Sequence, residues 1–255
     1  MQGLVLTGGL GTRLRKTVAD RSKPMASIGG RPFLEYLLCQ LKRYGLREIV
    51  LCTGYLGSEI KEYFGDGRKW AVTIRYSEET APLGTGGAIR LAENLVKGDA
   101  FLVMNGDSFL DIALDELIEY HYHKRALATL ALVEAKNAGA YGVVEIDEED
   151  RIINFIEKGR CPSSNLINGG VYVFNRKVMD FIPRGRRVSL EEEIFPRLVG
   201  NDFFGMPKRV YFIDIGIPEN YKRAQEELKK RLVVQDGLVK LSFYGPECEP
   251  GAVKG

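Results

Sequence analysis

Histidine is nearly missing from this chain: His121 and His123 are the only two among 255 residues. They stand two apart in a helical stretch, so they face different sides and cannot chelate one ion together. Chemistry built on histidine, as acid, base or metal ligand, is therefore disfavoured. The four cysteines, Cys39, Cys52, Cys161 and Cys248, are scattered with no Cys-x-x-Cys spacing, which fits a reduced, cytosolic setting. No apolar run approaches the length of a membrane span, and the chain enters a strand by residue 3, leaving no room for a signal peptide. Charge of neither sign dominates: 36 Lys and Arg face 34 Asp and Glu, a net +2. No global field draws nucleic acid or an anionic membrane. Internal repeats, low-complexity tracts and Ser/Pro-rich linkers are absent too, so the length reads as one large α/β domain, or one domain with a small lobe.

What is present begins at once, in the stretch GLVLTGGLGTRL over residues 3–14. An apolar strand suited to a fully buried, central position runs directly into closely set glycines. Gly8-Gly9-Leu10-Gly11 has little Cβ bulk, so its amides can close on a polyanion. Thr12 follows, and Arg13 adds a fixed fork of donors that matches phosphate oxygens. This is a nucleotide-phosphate signal at the carboxyl end of a first strand. Two better-known phosphate loops fit worse. A Walker loop needs Gly-Lys before Ser or Thr, and no Lys stands there. The dinucleotide fingerprint, counted from Gly9, meets Leu14 where its third glycine belongs, and Cys52-Thr53-Gly54-Tyr55 supplies no acidic residue after the next strand.

Strand and helix patterns alternate through the first half. Strands are expected at 3–7, Glu48–Cys52, Val72–Tyr76 and Ala100–Met104. The helices between them fall at Pro32–Tyr44, Ser58–Phe64 and Gly86–Val96. In the first helix Phe33, Tyr36, Leu37 and Leu41 share one face. The alternation predicts a parallel, doubly wound sheet with ligands at the strand carboxyl ends. In the second half Ala126–Glu134, Gly142–Ile146, Ile152–Glu157 and Gly169–Phe174 read as strands. Helical patterns return at Arg176–Phe181, Leu190–Leu198 and Glu219–Leu232. This half reads as a smaller mixed lobe over the sheet's open end, continuous with the first. Residues 1–235 form the expected domain and 236–255 a short tail, in which Leu238–Phe243 could add an edge strand.

Six landmarks recur in order. The first is the loop Gly8-Gly9-Leu10-Gly11-Thr12-Arg13-Leu14 together with the following Lys23-Pro24, and Leu83-Gly84-Thr85-Gly86-Gly87-Ala88 and Asn105-Gly106-Asp107 come next. Glu157-Lys158, Asn168-Gly169-Gly170 and Phe212-Ile213-Asp214-Ile215-Gly216 complete the set. Together they resemble the signature of the sugar-1-phosphate nucleotidylyltransferases over about residues 3 to 221. Each is weak alone, and the ordered set is specific. The Leu83–Ala88 loop and the Phe212–Tyr221 segment look most like the D-glycero-D-manno-heptose 1-phosphate guanylyltransferases. Mannose-1-phosphate guanylyltransferases and uridylyl- or thymidylyltransferases are close cousins that these motifs separate poorly.

The resemblance implies a Rossmann-like three-layer α/β/α domain, GT-A-like, with a mixed sheet and a small sugar-binding lobe. It also implies the reaction: a sugar 1-phosphate attacks the α-phosphorus of a nucleoside triphosphate in line, and pyrophosphate leaves. Two anions must share one cleft, so cations are required. Arg13 and the amides of the loop residues Gly8, Gly9, Gly11 and Thr12 would hold the leaving phosphates, with Leu6 also in the nucleotide site. Lys23 lies where the family places a lysine reaching the α-phosphate. Leu83, Gly84, Thr85, Gly86 and Gly106 would complete the nucleotide site, the glycines letting backbone approach a planar base. Lys158 would hold the sugar phosphate, with Gly142, Glu157, Asn168 and Gly169 around the sugar, although Asn168-Gly169 also reads as a plain tight turn. Asp107 and Asp214, each after an apolar strand, would bind Mg2+, since unpaired carboxylates there are costly and magnesium accepts few carboxylates plus waters and phosphates. Singly, such a lysine is a surface charge and such an aspartate a cap; their places inside the motifs favour the functional reading. Asp111 is expected to be structural. The implied partners are the triphosphate and the sugar phosphate, with no nucleic acid and no membrane, and a homodimer remains open.

Three other classes compete. A non-catalytic sugar-nucleotide-binding homologue would be expected to lose Lys23, Asp107 or Asp214, and all three are kept. A bifunctional acyltransferase needs a long hexapeptide-repeat tail, and little chain follows the last helix. A dinucleotide-dependent oxidoreductase is disfavoured by the broken fingerprint.

Overall fold

The structure, a computed structural model, describes residues 1–9, 22–135, 138, 141–156, 164–235 and 238–241. The first half runs β1 (Gln2–Leu6), the hairpin β2 (Ser27–Ile28) and β3 (Arg31–Pro32), α1 (Phe33–Arg43), β4 (Glu48–Thr53) and α2 (Gly57–Phe64). It continues with β5 (Thr73–Glu78), α3 (Gly84–Leu91), β6 (Ala100–Asn105), β7 (Ser108–Leu110) and α4 (Leu114–His123). The second half holds β8 (Ala128–Glu134), β9 (Val143–Ile146), β10 (Ile152–Ile156), β11 (Leu166–Asn175), α5 (Phe195–Leu198) and β12 (Phe203–Lys208). It ends with β13 (Phe212–Asp214), α6 (Pro218–Arg231), β14 (Leu232–Gln235) and β15 (Leu238–Leu241).

Strands β1, β4, β5 and β6 are parallel, as the alternation predicts, and lie in the order β6-β1-β4-β5. The chain steps from β1 to one side through β4 and β5, then returns to the other side as β6. A switch point therefore opens between the carboxyl ends of β1 and β6, where Leu6 pairs with Cys52 on one flank and Asn105 on the other. The second half does not form a sheet of its own. Strand β11 runs antiparallel to β6, and β8, β9, β10 and β12 extend the same nine-stranded sheet.

Both faces of this sheet are covered, which explains why its strands read as near-continuous apolar runs. Val5, Leu102, Met104, Val171 and Val173 join Phe33, Leu37 and Leu41 of α1 in one core. Their strand neighbours Leu4, Phe101, Val103, Tyr172 and Phe174 join Ile89, Ile194 and Phe195 in the other. The alternation of side chains across each strand thus feeds two cores, giving three layers.

Several local expectations shift. Asn168-Gly169-Gly170 is part of β11, at a register shift between Asn168 and Tyr172, because the strand continues through the bulge to reach Asn175. Asp214 is the last residue of β13, which pairs with β7 in a separate ribbon. The helical pattern at 176–181 is a 3-10 turn, and that at 190–194 is a π turn leading into α5. The strand expected over Leu238–Phe243 occurs as β15, yet it pairs with β14 in its own hairpin and joins no edge of the main sheet. Among the described residues, no helix is long and apolar enough to cross a membrane.

Candidate active site

A cleft of about 740 Å3 opens at the switch point. Its floor is made by the ends of β1 and β6. The amide of Thr7 donates to Cys52 O and that of Gly106 to Leu6 O, at 2.8 and 2.9 Å, so the two loops leave the sheet side by side. Gly8 and Gly9 face the cleft on one side, and Asn105, Gly106, Asp107 and Ser108 on the other.

The β7–β13 ribbon brings the two aspartates together. Ser108 pairs with Asp214, and the amide of Ile215 donates to Asp107 O at 2.9 Å, so the carboxylates leave adjacent rungs. Lys23, at the start of a 3-10 turn over Lys23–Met25, places Nζ 2.6 Å from Asp107 Oδ2. The amide of Gly216 donates to Asp214 Oδ1 at 2.7 Å. A Cβ at Gly216 would stand 2.7 Å from Lys23 Nζ and 2.8 Å from Asp214 Oδ1, so a larger residue there would push both side-chain ends aside. One cation and two carboxylates thus converge where the strands end.

The opposite wall carries a carboxylate absent from the expected site residues. Glu79 follows β5 directly and borders the cleft. Its Oε2 accepts the amide of Leu83 at 3.0 Å, while Oε1 lies against the backbone of Gly8 and Gly54. Burial pushes the Glu79 carboxyl above its ordinary pKa, and the Leu83 hydrogen bond partly offsets this. The signal was available: an acidic pair, Glu78-Glu79, just past an apolar-alternating strand. No acidic residue follows the neighbouring strand, at Cys52–Tyr55.

The Leu83–Ala88 loop departs from the expectation in its physical cause. The amides of Gly86 and Gly87 both donate to Val188 O, at 2.9 and 3.2 Å, and the amide of Val188 returns to Leu83 O at 2.8 Å. Gly84 has φ +73°, and a Cβ there would meet Val188 O at 2.5 Å. The room these glycines leave is taken by the 186–188 backbone. Gly84 and Thr85 still border the cleft, whereas Leu83 and Gly86 do not contribute to its wall. Thr85 Oγ1 donates to Glu191 Oε2 at 2.9 Å and accepts the amide of Leu190 at 2.8 Å, tying the loop to the π turn.

Arg187, Ser189 and Glu191 border the cleft beside the Gly84–Thr85 loop, and Tyr141, Gly142, Phe155, Asn168, Gly170 and Phe212 border it too. Asn168 Nδ2 donates to Tyr172 Oη at 2.9 Å, and its Oδ1 accepts the amide of Gly170 at 2.9 Å. Gly169 does not border the cleft, since a Cβ there would press on Ala131 O and Leu110 Cδ2, each at 2.9 Å. Tyr141 and Phe212 pack edge to face, ring centres 5.7 Å apart. Asp111 lies off the cleft wall, its amide bonded to Tyr211 O. Gly11, Thr12, Arg13, Glu157 and Lys158 lie outside the described residues. His121 is buried far from this chemistry, with Nδ1 2.9 Å from Thr129 Oγ1.

The family model described as Nucleotidyl transferase matches residues 2–231. The chain belongs to the nucleotidyl transferase family. Among curated proteins, this nucleotidyl transferase is 39% identical over 230 residues to the D-glycero-alpha-D-manno-heptose 1-phosphate guanylyltransferase of Aneurinibacillus thermoaerophilus, covering 90% of this chain and 99% of the relative. It is 37% identical over 261 residues to the mannose-1-phosphate guanylyltransferase of Mycobacterium tuberculosis, covering 99% and 73% respectively. Among solved structures, HddC from Yersinia pseudotuberculosis complexed with GMP-PN superposes with a TM-score of 0.79 at 32% identity, covering 89% of this chain and 98% of that one.

Proposed function

We propose that this nucleotidyl transferase moves GMP from GTP onto D-glycero-D-manno-heptose 1-phosphate, releasing pyrophosphate and forming a nucleotide-activated sugar for cell-surface polysaccharide synthesis. The observation that carries the reading is the convergence of Lys23, Asp107 and Asp214 on the switch-point cleft. Both substrates are anions, and the transition state gathers charge at the α-phosphate. Catalysis by this chain is then positioning and neutralisation, with no general base required of an already ionised phosphate.

The donor set suits a divalent cation. Two adjacent carboxylates supply hard oxygen ligands, and their charge near Asp107 is balanced here by the Lys23 ammonium. Asp107 and Asp214 would hold Mg2+, which when bound would neutralise phosphate charge. Lys23 is assigned to the α-phosphate, where its charge counts most as the bond to the leaving pyrophosphate weakens. Gly8 and Gly9, with Gly11, Thr12 and Arg13 beyond them, are assigned to the leaving phosphates. Lys158 is assigned to the sugar phosphate.

Guanine as the base is supported by Glu79 and by the GMP-PN bound to the structural neighbour. Guanine presents N1–H and the N2 amine side by side, two donors that a carboxylate accepts together. Adenine turns an unprotonated N1 toward the same place, and uracil or thymine offers a single donor. For the sugar, Asn168 and Gly142, with Glu157, are the candidate readers of hydroxyls. The similarity to a mannose-1-phosphate guanylyltransferase keeps mannose 1-phosphate as the second reading. GTP is a cytoplasmic metabolite, and we place the reaction in that compartment. Mass spectrometry of the products from GTP, Mg2+ and heptose 1-phosphate tests the proposal. A GDP-heptose with equimolar pyrophosphate is expected, and its absence while GDP-mannose forms from mannose 1-phosphate would move the assignment to the second reading.

A further inference from the structure

The hairpin that follows Lys23 is gripped by the helix that follows Asp214. Ser27 O accepts two hydrogen bonds, from Tyr221 Oη at 2.8 Å and from Gln225 Nε2 at 2.5 Å, which uses both of its lone pairs. Gln225 Oε1 also accepts the amide of Gly29 at 3.1 Å, so one side chain engages both β2 and the start of the turn that follows it. On the same helix, Asn220 Nδ2 donates to Asp214 O at 3.1 Å. Helix α6 thus touches the backbone of both segments that meet in the site.

The segment carrying Lys23 is short and stiff. The amide of Met25 donates to Ser22 O and that of Ala26 to Lys23 O, at 2.9 and 3.0 Å, and Met25, Ala26 and Ile28 are all buried. From its other side Tyr36 Oη, on α1, donates to Ile28 O at 3.1 Å. A shift of the hairpin is therefore transmitted to the lysine backbone. Neither Tyr221 nor Gln225 borders the cleft.

We propose that Tyr221 and Gln225 are positioning residues for the reaction: through Ser27 they fix where Lys23 stands relative to Asp214, and they touch neither substrate. The inference rests on the reading that Lys23 acts at the α-phosphate. Its physical basis is the steep dependence of charge stabilisation on placement, a misplacement of about 1 Å costing roughly 100-fold in rate. A long, flexible lysine reaches that precision only from a fixed backbone.

The test is a double-mutant cycle. Tyr221→Phe and Gln225→Met, singly and together, remove the hydrogen bonds while keeping the bulk. kcat, KM for both substrates and Tm are measured in the native and Lys23→Ala backgrounds. In the native background the pair should lower kcat by about 10-fold or more, with either KM changing by less than about 3-fold. In the Lys23→Ala background the same pair should cause no further loss. An equal loss in both backgrounds, or a lowered Tm with kcat intact, would overturn the inference. An unchanged kcat in Lys23→Ala alone would remove Lys23 from the reaction, and the inference with it.

Discussion

Lys23 Nζ lies 2.6 Å from Asp107 Oδ2, with the lysine side chain 12% exposed and the aspartate 33%. A pair so placed at a strand end holds the charge of the cleft in reserve: the lysine neutralises the carboxylate until phosphates arrive. Lys23→Ala should therefore lower kcat by about 100- to 1,000-fold, the usual cost of removing a donor aimed at developing charge, with KM little changed. Lys158→Ala should instead raise KM for the sugar phosphate. Steady-state kinetics in both substrates separates the two, and equal effects on nucleotide binding alone would contradict the division.

Asp214→Asn keeps the shape of the side chain and its bond to the Gly216 amide while removing the charge. Turnover should fall by about 100-fold or more, with Tm nearly unchanged. Native enzyme should be inactive in excess chelator and recover with added Mg2+. Full activity in chelator would remove the metal from the mechanism.

Glu79 is the proposed reader of the base. Glu79→Gln replaces one acceptor with a donor facing the guanine edge, and the GTP-to-ATP ratio of kcat/KM should drop by roughly 10- to 100-fold. Burial raises the Glu79 pKa, so protonation begins at a higher pH than for an ordinary glutamate. KM for GTP should accordingly rise on the acid side in the native enzyme and stay flat in Glu79→Gln. Parallel pH profiles would argue against contact with the base.

His121 offers a test of the core that leaves the site alone. Burial lowers its pKa from 6.5 to about 4. Between those values the unfolded chain binds the proton and the folded one does not, so stability is full above pH 6.5 and declines toward about pH 4. A shift of this size corresponds to roughly 3 kcal/mol at most. Urea unfolding at pH 7.5 and pH 5 should show a smaller pH dependence in His121→Gln than in the native chain; equal dependence would place the acid sensitivity elsewhere.

Much of the fold was legible because the sheet is buried on both faces. The middles of the runs ending at Leu6, Thr53 and Asn105 had to be apolar, and the glycines and aspartate after them marked the ligand end. Lys23, Asp107 and Asp214 were legible only as motif members, since nothing local announces that β7 and β13 pair and bring them together. Glu79 was missed because its role depends on the neighbouring backbone of Gly8 and Gly54, which is a tertiary fact. The glycines of the 84–87 loop suggest room for a base, whereas that room holds Val188, a residue about 100 positions away whose approach no local pattern encodes. Tyr221 and Gln225 likewise act across the fold, on a carbonyl that sequence does not distinguish from any other.

The most direct measurement crosses GTP, ATP, UTP and dTTP with heptose, mannose and glucose 1-phosphates, and reads kcat/KM from pyrophosphate release. GTP should exceed ATP by orders of magnitude, with heptose 1-phosphate the preferred acceptor and mannose 1-phosphate less strongly discriminated. A clear preference for UTP or dTTP would contradict the guanine assignment, and no pyrophosphate with any pair would contradict nucleotidyl transfer to a sugar phosphate.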